Sequence, residues 1–283
     1  MKLLRYGSVG RERPGIVDHN GTIRDLTGVV NDIDGAAISP SGLARLRALD
    51  LASLPVATDI ERIGPCVAHP GKFICIGLNY ADHAAETGAA VPQEPVVFLK
   101  ATSAVSGPND NVMKPRGSTK LDWEVELGLV IGSECRYLDA TSAQSAIAGY
   151  CVCNDVSERA FQLERGGQWD KGKGCDSFGP IGPWLVTADE LTDTSNLDMW
   201  LEVNGKRFQS GSTRTMIFRP AFLVSYLSQF MSLQPGDIVS TGTPPGVGMG
   251  QKPPIYLNVG DVITLGITGL GAQRQVVIGP QTT

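Results

Sequence analysis

The chain has 283 residues and a mass of 30.0 kDa, enough for one large domain or one domain with a small appendage. Its 24 basic and 29 acidic residues give a formal net charge of −5, which argues against general binding to nucleic acid or to anionic membranes. No apolar run approaches the ~20 residues of a membrane span, and the N-terminus becomes polar too early for a secretory signal. We therefore expect a soluble, cytoplasmic protein with no nucleic-acid or membrane partner.

Cysteine, glycine and proline contents give a first indication of the fold. The six cysteines include no CxxC pair, and Cys151 and Cys153 share one face of a predicted strand, as small apolar side chains rather than zinc ligands. Free thiols suit a reducing compartment. The 34 glycines and 18 prolines indicate many tight turns, which favours a β-rich fold over a helix bundle.

Residues 1–65 are predicted to form a small N-terminal α/β domain. Two strand-like segments flank an Asn20-Gly21 turn, which is a strong signal for a β-hairpin. Residues 41–51 have the pattern of a short helix. The turn-rich segment 64–71 marks the boundary with a second domain over residues 66–283.

The second domain is predicted to consist mostly of strands. Its best amphipathic helix covers residues 220–231. Strands outnumber helices with little strand–helix alternation, so the expected class is α+β, mainly β, in a mixed roll rather than a Rossmann fold. The predicted strands cover residues 72–76, 95–99, 123–132, 148–155, 197–203, 206–209, 237–241 and 261–267.

Two glycine-rich segments come close to nucleotide-binding motifs. Residues 167–174 resemble a phosphate-binding loop, but Gly174 stands where that loop needs Ser or Thr to hold Mg²⁺. Residues 246–250 have the pattern GxGxG without a preceding strand and a following helix. ATP binding through the first segment therefore remains only a weak alternative.

Two acidic residues lie inside a strand-like, mostly apolar segment. Strand geometry places the carboxylates of Glu124 and Glu126 on one face. Two negative charges this close raise the pKa of one of the two carboxyl groups unless a cation is present. Hard cations such as Mg²⁺, Mn²⁺ or Ca²⁺ take oxygen ligands and would suit this position. Asp155, at the end of another apolar strand, would add a third carboxylate. For the two glutamates alone, a solvated strand edge is the alternative.

A short helix follows the third carboxylate. Ser157 suits the N-cap of a helix over residues 158–164. Arg159 and Gln162 share a face of that helix and could bind a carboxylate just beyond Asp155, since the arginine fork suits a carboxylate. A surface pair is an equal alternative.

Two further polar residues lie in or beside loops rich in glycine and proline. Lys173 precedes the loop 176–183, which would let its side chain reach a pocket, and Thr243 lies in a rigid loop after an apolar strand. Loops on a rigid scaffold often carry function. From spacing alone, a solvated lysine and a plain turn residue remain open alternatives.

His83 and Glu86 are candidates for acid–base chemistry. Their three-residue spacing on a helical turn would let Glu86 orient the imidazole of His83, which could then activate water as a general base. The other two histidines of the chain, His19 and His69, lack an acid at this spacing.

Taken together and in this order, these segments resemble the fumarylacetoacetate hydrolase family. Each is weak alone, but their ordered combination over roughly residues 70–270 is specific. The overall pattern is most similar to the bacterial branch that acts on 2,4-dioxo-3-deoxy sugar acids of the fuconate or rhamnonate type. The matching segments are residues 77–86, 122–127, 154–162, Lys173 with 178–180, and 241–248.

The resemblance implies a β-sandwich roll catalytic domain, a homodimer, and Mg²⁺ or Mn²⁺ held by Glu124, Glu126 and Asp155. It implies that His83 and Glu86 form a water-activating dyad on a mobile lid. The segment before His83 lacks the fourth carboxylate of larger members, so the chain is similar to the smaller, three-carboxylate ones. Contacts to a 2-oxo acid substrate are implied for Arg159, Gln162, Lys173 and Thr243, with Lys173 also stabilising charge in catalysis.

The expected activity is hydrolysis of the C3–C4 bond of a 2,4-dioxo acid, an acylpyruvate or a 2,4-dioxo-3-deoxy sugar acid, to pyruvate and a second carboxylic acid. This activity would make the protein a hydrolase that acts on carbon–carbon bonds in ketonic substances, with an expected role in sugar acid catabolism. The same site would serve an oxaloacetate decarboxylase, a ureidoglycolate lyase, or a 2-oxo acid isomerase or hydratase. A non-catalytic protein that binds metal and oxo acid is a further alternative.

Overall fold

The computed structural model of the protein describes residues 1–82 and 90–281. Strands dominate it, as the composition indicates. The helices are α1 (Pro40–Arg47), α2 (Ala140–Ala143), α3 (Arg159–Leu163), α4 (Asp170–Lys173) and α5 (Pro220–Leu227). The strands are β1 (Lys2–Tyr6), β2 (Arg13–Val17), β3 (Ile23–Asp25), β4 (Phe73–Gly77), β5 (Val96–Lys100), β6 (Val105–Ser106), β7 (Val112–Met113), β8 (Leu121–Asp122), β9 (Val125–Ile131), β10 (Ile147–Asn154), β11 (Ser157–Glu158), β12 (Gly179–Thr187), β13 (Asp198–Val203), β14 (Lys206–Ser212), β15 (Ile238–Ser240), β16 (Val262–Ile267) and β17 (Gly271–Ile278).

These strands form two main sheets and one ribbon. The larger sheet has the order β3-β2-β1-β12-β10-β9-β15-β4-β5, with β6 added beside β12. The second sheet has the order β14-β13-β16-β17-β7, and β8 and β11 form a short ribbon. Most neighbours are antiparallel, but three pairs are parallel: β15 with β4, β12 with β6, and β17 with β7. The architecture confirms the expected mixed, mainly β class.

Both faces of the larger sheet are covered. On one face, Leu127 and Leu129 of β9 belong to a core shared with Leu201 and Leu265 of the second sheet. On the opposite face, a second core includes Leu43 and other residues of α1 and the N-terminal segment. Because both faces are buried, every residue of β9 and β10 is buried, which explains their almost continuous apolar sequences.

The predicted N-terminal hairpin is confirmed. β2 and β3 pair in antiparallel register, and Gly21 has φ +81°, a left-handed conformation that glycine adopts without strain. The Asp18 carboxylate accepts hydrogen bonds from the main-chain N–H groups of Asn20 and Thr22, which closes the turn. β1 continues this sheet by pairing with both β2 and β12, so the N-terminal strands extend the larger sheet.

Several predicted boundaries were wrong for physical reasons. The segment 176–183 was predicted to be a loop, but β12 already begins at Gly179. The strand includes Pro180, Gly182 and Pro183, which are residue types usually found in turns. Ser157 is not the N-cap of the following helix. It lies in β11, and the Glu158 carboxylate caps the helix by accepting from the N–H of Ala160. β17 was not predicted, because two of the residues on its buried side are glutamines. A pattern of alternating apolar residues therefore does not cover the strand.

No helix among the described residues is long and apolar enough to cross a membrane.

Candidate active site

Three carboxylates converge at one end of the paired strands β9 and β10. Glu126 lies in β9, Glu124 immediately precedes the first residue of β9, and Asp155 immediately follows β10. The main-chain N–H of Asp155 donates to the carbonyl of Glu124 at 2.9 Å, which fixes the two segments side by side. One oxygen from each carboxylate lies within 4.8 Å of the others, and all three residues are buried. The predicted convergence is therefore present.

Lys173 and Arg159 compensate part of this negative charge. Lys173 Nζ donates to Glu124 Oε2 and to Asp155 Oδ2, both at 2.7 Å, and Arg159 donates to Glu124 Oε1 at 2.6 Å. Burial alone would raise the pKa of Glu124, but the two cations outweigh it and lower that pKa to about 2. The carboxylate of Glu124 is thus held in its charged form.

Glu126 has a different environment. Its Oε2 accepts hydrogen bonds from Ser240 Oγ at 2.6 Å and from the main-chain N–H of Gly242 at 2.9 Å. In the part of the chain that the structure describes, no basic side chain forms an ion pair with it. Burial and the neighbouring charges of Asp155 and Glu124 raise its pKa well above the usual range.

This donor set fits a divalent metal ion. Mg²⁺ and Mn²⁺ prefer carboxylate oxygens, and one or two carboxylates with waters usually suffice for Mg²⁺. A cation among the three carboxylates would supply the positive partner that Glu126 lacks and would favour its ionised form. The structure thus has a buried acidic site suited to a metal, with three basic side chains, Lys100, Arg159 and Lys173, directly beside it.

Lys100 is a site residue that the sequence interpretation missed. Its ammonium group lies 2.5 Å from Asp155 Oδ1 and donates to the main-chain carbonyls of Val156 and Lys173, at 2.9 and 2.7 Å. Lys100 is almost fully buried. A signal for it existed: a lysine at the end of the apolar strand β5 is unusual, since lysine is rarely buried without a partner.

Asp122 is the second missed residue. Its Oδ2 accepts from Arg159 Nε at 2.8 Å and from the N–H of Met249, and its Oδ1 accepts from the N–H groups of Trp123 and Gly248. Asp122 is fully buried. It therefore ties the orientation of the Arg159 guanidinium to the loop at residues 248–249.

Gln162 and Thr243 also lie at the cavity, and the structure shows what holds them. Gln162 Oε1 accepts from Arg159 Nη1 at 3.1 Å, as their spacing on one helix face predicts. The Thr243 hydroxyl donates to the carbonyl of Val125 at 2.9 Å and accepts from Gln209 Nε2 at 2.8 Å. The predicted contacts of both side chains with a substrate stay predictions. His83 and Glu86 lie outside the described residues.

The carboxylates form the floor of a cavity of about 210 Å³. This is smaller than the roughly 300–1,000 Å³ of cavities that enclose drug-sized ligands, so it suits a small acid. Both charged or polar residues and apolar residues line it. The lining consists of Ile76, Gly77, Leu78, Phe98, Glu124, Glu126, Asp155, Arg159, Gln162, Leu163, Trp169, Lys173, Gly242, Thr243 and Met249.

The mixed, mainly β fold encloses a cavity lined by a buried acidic triad that could hold a metal ion. Residues 72–278 match the family model for the C-terminal domain of fumarylacetoacetate hydrolase. The chain belongs to the fumarylacetoacetate hydrolase family, and the predicted family is confirmed. A protein of Burkholderia multivorans, provisionally named a hydrolase, is 62% identical over 277 residues, which cover 98% of each chain.

Two solved structures show the range of activities among similar proteins. Maleylpyruvate hydrolase from Sphingobium, in complex with manganese(II) and pyruvate, is 29% identical with a TM-score of 0.81 and covers 99% of this chain and 100% of its own. A 5-carboxymethyl-2-hydroxymuconate delta-isomerase from Mycobacterium smegmatis is 30% identical with a TM-score of 0.78, covering 100% of both chains. The family thus includes hydrolases and isomerases with this fold.

Proposed function

We propose that the protein is a metal-dependent hydrolase that cleaves the C3–C4 bond of a 2,4-dioxo acid to pyruvate and a second carboxylic acid. The observation that carries this proposal is the buried group of three carboxylates beside Lys173 and Arg159 on the floor of a small cavity. The Sphingobium hydrolase, which binds manganese(II) and pyruvate, supports it.

Glu124, Glu126 and Asp155 would hold Mg²⁺ or Mn²⁺. Such a metal, when bound, supplies Lewis-acid polarisation of the carboxylate and 2-oxo groups of the substrate. Arg159 and Gln162 would orient the substrate carboxylate, and Thr243 would contact its other oxygens. Lys173 would place its positive charge where negative charge develops on the 2-oxo oxygen.

The reaction consumes one water. His83, oriented by Glu86, would accept a proton from water as the water oxygen attacks C4. The C3–C4 bond then breaks, with its electron pair moving to C3 to give the enolate of pyruvate, which Lys173 stabilises. A proton delivered to C3 completes pyruvate, and the acyl group leaves as a carboxylic acid.

The experiment that tests this proposal measures pyruvate release with a coupled lactate dehydrogenase assay. Acetylpyruvate, a 2,4-dioxo-3-deoxy sugar acid and oxaloacetate are compared, each with Mg²⁺, with Mn²⁺ and with EDTA, and ureidoglycolate is tested for glyoxylate. We expect metal-dependent pyruvate from a 2,4-dioxo acid. Turnover of oxaloacetate alone would move the function to decarboxylation, and metal binding without any turnover would favour a binding protein.

His83→Ala tests the proposed base. We expect turnover to fall by about a hundredfold or more with metal affinity largely retained, because a general base contributes roughly 10²–10⁴-fold and His83 is not a proposed ligand. His19→Ala, at an exposed histidine of the N-terminal hairpin, is the matched control and should turn over normally. Normal turnover in His83→Ala would remove His83 from the mechanism.

A second candidate function is isomerisation of an unsaturated 2-oxo acid, which the similarity to the Mycobacterium smegmatis isomerase favours. This reaction moves a proton and consumes no water. Incorporation of ¹⁸O from labelled water into the acid product separates the two reactions. Absence of label with a shifted double bond in the product would replace hydrolysis by isomerisation.

We also propose a homodimer, as the family resemblance implies. An exposed aromatic surface on α5 and the turn after it supports it: Phe222, 43% exposed, stacks on Tyr226, and Phe230, 65% exposed, packs edge-on against Tyr226. Light scattering should give twice the 30.0 kDa mass of the chain. The double variant Phe222→Glu, Phe230→Glu should shift the protein toward the monomer, and a monomeric wild type would contradict the proposal.

A further inference from the structure

The short helices α3 and α4 form one wall of the cavity. A Cβ atom added to Gly172 would lie only 2.4 Å from the carbonyl oxygen of Glu158 and 2.5 Å from the nitrogen of Gln162, so the two helices approach closely. Arg159, at the start of α3, and Lys173, at the end of α4, both bind Glu124. The start of one helix therefore meets the end of the other at the carboxylates.

One turn away from the carboxylates, the same wall becomes apolar. Leu163 lies four residues after Arg159, and Trp169 lies four residues before Lys173, so each apolar residue shares a helix face with a basic one. Both apolar side chains line the cavity. The wall thus changes from charged to apolar within about one helical turn, roughly 5.4 Å.

Other elements extend this apolar side and hold it in place. The rings of Phe98 and Trp169 pack edge to face, with centroids 5.4 Å apart. The indole of Trp169 also packs on Gly77, where an added Cβ would lie 2.8 Å from the ring. Phe98 faces the charged end as well, because Lys173 Nζ lies 5.0 Å from the centre of its ring. Phe98 therefore joins the two ends of the cavity.

We propose that the substrate carries a small, uncharged, apolar acyl group, which lies against Phe98, Leu163, Trp169 and Met249. This inference rests on the proposed function, because it assumes that the 2-oxo acid end lies at the carboxylates. Among these four side chains, the indole N–H of Trp169 is the one hydrogen-bond donor, and the Met249 thioether is a weak acceptor. Each polyol hydroxyl buried here without a partner would weaken binding by about tenfold or more.

The proposal differs from the expectation of a sugar acid, and the two are separated by a binding experiment that needs no turnover. Isothermal titration with Mn²⁺ present compares pyruvate, 2-oxopentanoate, 2-oxohexanoate and 2-oxo-3-deoxygluconate. We expect Kd to fall by about fourfold for each added methylene until the cavity is full, and the polyol to bind no more tightly than pyruvate. A Kd independent of chain length, or tighter binding of the polyol, would overturn the proposal.

A pair of variants locates the effect. Leu163→Asn places a polar side chain of similar size at the apolar end, and we expect it to reduce the gain per methylene to about twofold or less. The residue is 46% exposed, so the variant is expected to fold. Val259→Asn introduces the same side chain at a 59% exposed position outside the cavity lining and should retain the fourfold gain. An unchanged gain in Leu163→Asn would place the acyl group elsewhere.

The pyruvate-release assay distinguishes this proposal from the proposed function. If no 2,4-dioxo acid releases pyruvate although Kd falls with chain length, the hydrolase proposal fails and the apolar subsite stands. If acetylpyruvate and a 2,4-dioxo-3-deoxy sugar acid are both hydrolysed and the sugar acid has the higher kcat/KM, the hydrolase proposal stands and the apolar subsite fails.

Discussion

Two clusters of charged side chains in this protein are built from similar residues but differ in how their carboxylates are satisfied. In the N-terminal segment, the guanidinium of Arg5 binds both oxygens of Asp32, at 2.7 and 2.9 Å. Arg62 binds both oxygens of Asp110 at 2.7 Å and also Glu12 at 2.8 Å. Every acid in this cluster therefore has an arginine partner, and the two aspartates are bound by bidentate forks.

In the cavity, basic side chains do not compensate the three carboxylates equally. Glu124 and Asp155 each bind two basic side chains, whereas Glu126 is bound by a hydroxyl and a main-chain N–H. A buried carboxylate without a basic partner is costly to ionise, and groups perturbed in this way cluster at functional sites. An acidic cluster is therefore a candidate site where basic side chains compensate it incompletely, and a structural link where they compensate it fully.

Glu126→Ala is expected to have the largest effect. Removing this carboxylate should abolish metal-dependent activity and the rise in Tm expected with Mn²⁺, because a ligand stabilises the folded state by RT ln(1 + [L]/Kd), which vanishes when affinity is lost. Glu12→Ala, in the N-terminal cluster, is the matched control: it should lower Tm but retain the shift with Mn²⁺. An unchanged affinity for Mn²⁺ in Glu126→Ala would count against the ligand assignment.

Lys100→Met tests one of the basic side chains that compensate Asp155. Methionine keeps the length of the side chain but removes one of the two cations beside Asp155, and it leaves the buried carbonyls of Val156 and Lys173 without this donor. Unpaired buried acceptors and the loss of one partner from a buried ion pair are both costly, so we expect the free energy of unfolding to fall by about 3 kcal/mol. Urea unfolding followed by tryptophan fluorescence, with EDTA present, measures it.

The control for Lys100→Met is an exposed ion pair. Arg47 binds Asp189 at 2.8 Å, but the two side chains are 41% and 49% exposed. Water screens such a pair, so Arg47→Met should change the free energy of unfolding by less than about 1 kcal/mol. Equal losses in the two variants would mean that burial does not set the strength of the Lys100 contacts.

Periodic patterns predicted much of the fold and the acidic part of the site. The alternation at Glu124 and Glu126 and the apolar strand before Asp155 were enough to predict that three carboxylates meet. The Asn20-Gly21 turn was equally reliable, because its signal is local. The turn was predictable because neighbouring residues determine its geometry, and the carboxylates meet because β9 and β10 pair in a register that brings Asp155 beside Glu124.

Other features depend on residues distant in sequence, and local patterns did not predict them. β17 carries Gln273 and Gln275, which look like surface residues, yet both amides donate to buried carbonyls, among them those of Val152 and Pro108. Lys100 is buried only because Asp155, far along the chain, lies beside it. The apolar end of the cavity likewise forms only when Phe98 and Trp169 meet.

Asp122→Asn is expected to have a smaller effect, since Asp122 acts through Arg159. Each carboxylate oxygen accepts two N–H donors, so the NH₂ group of asparagine would face two of them without an acceptor. The guanidinium should then lose its fixed orientation. By analogy with residues that orient metal ligands, we expect kcat/KM to fall by about 10–100-fold.

The form of that loss distinguishes positioning from stability. If Arg159 orients the substrate carboxylate, Asp122→Asn should raise KM more than it lowers kcat, and the affinity for Mn²⁺ should change little, because Asp122 binds none of the three carboxylates. The same substitution at the exposed helix cap, Asp139→Asn, should leave both constants unchanged while lowering Tm slightly. A fall in kcat alone, with KM unchanged, would show that Asp122 does not act through substrate binding.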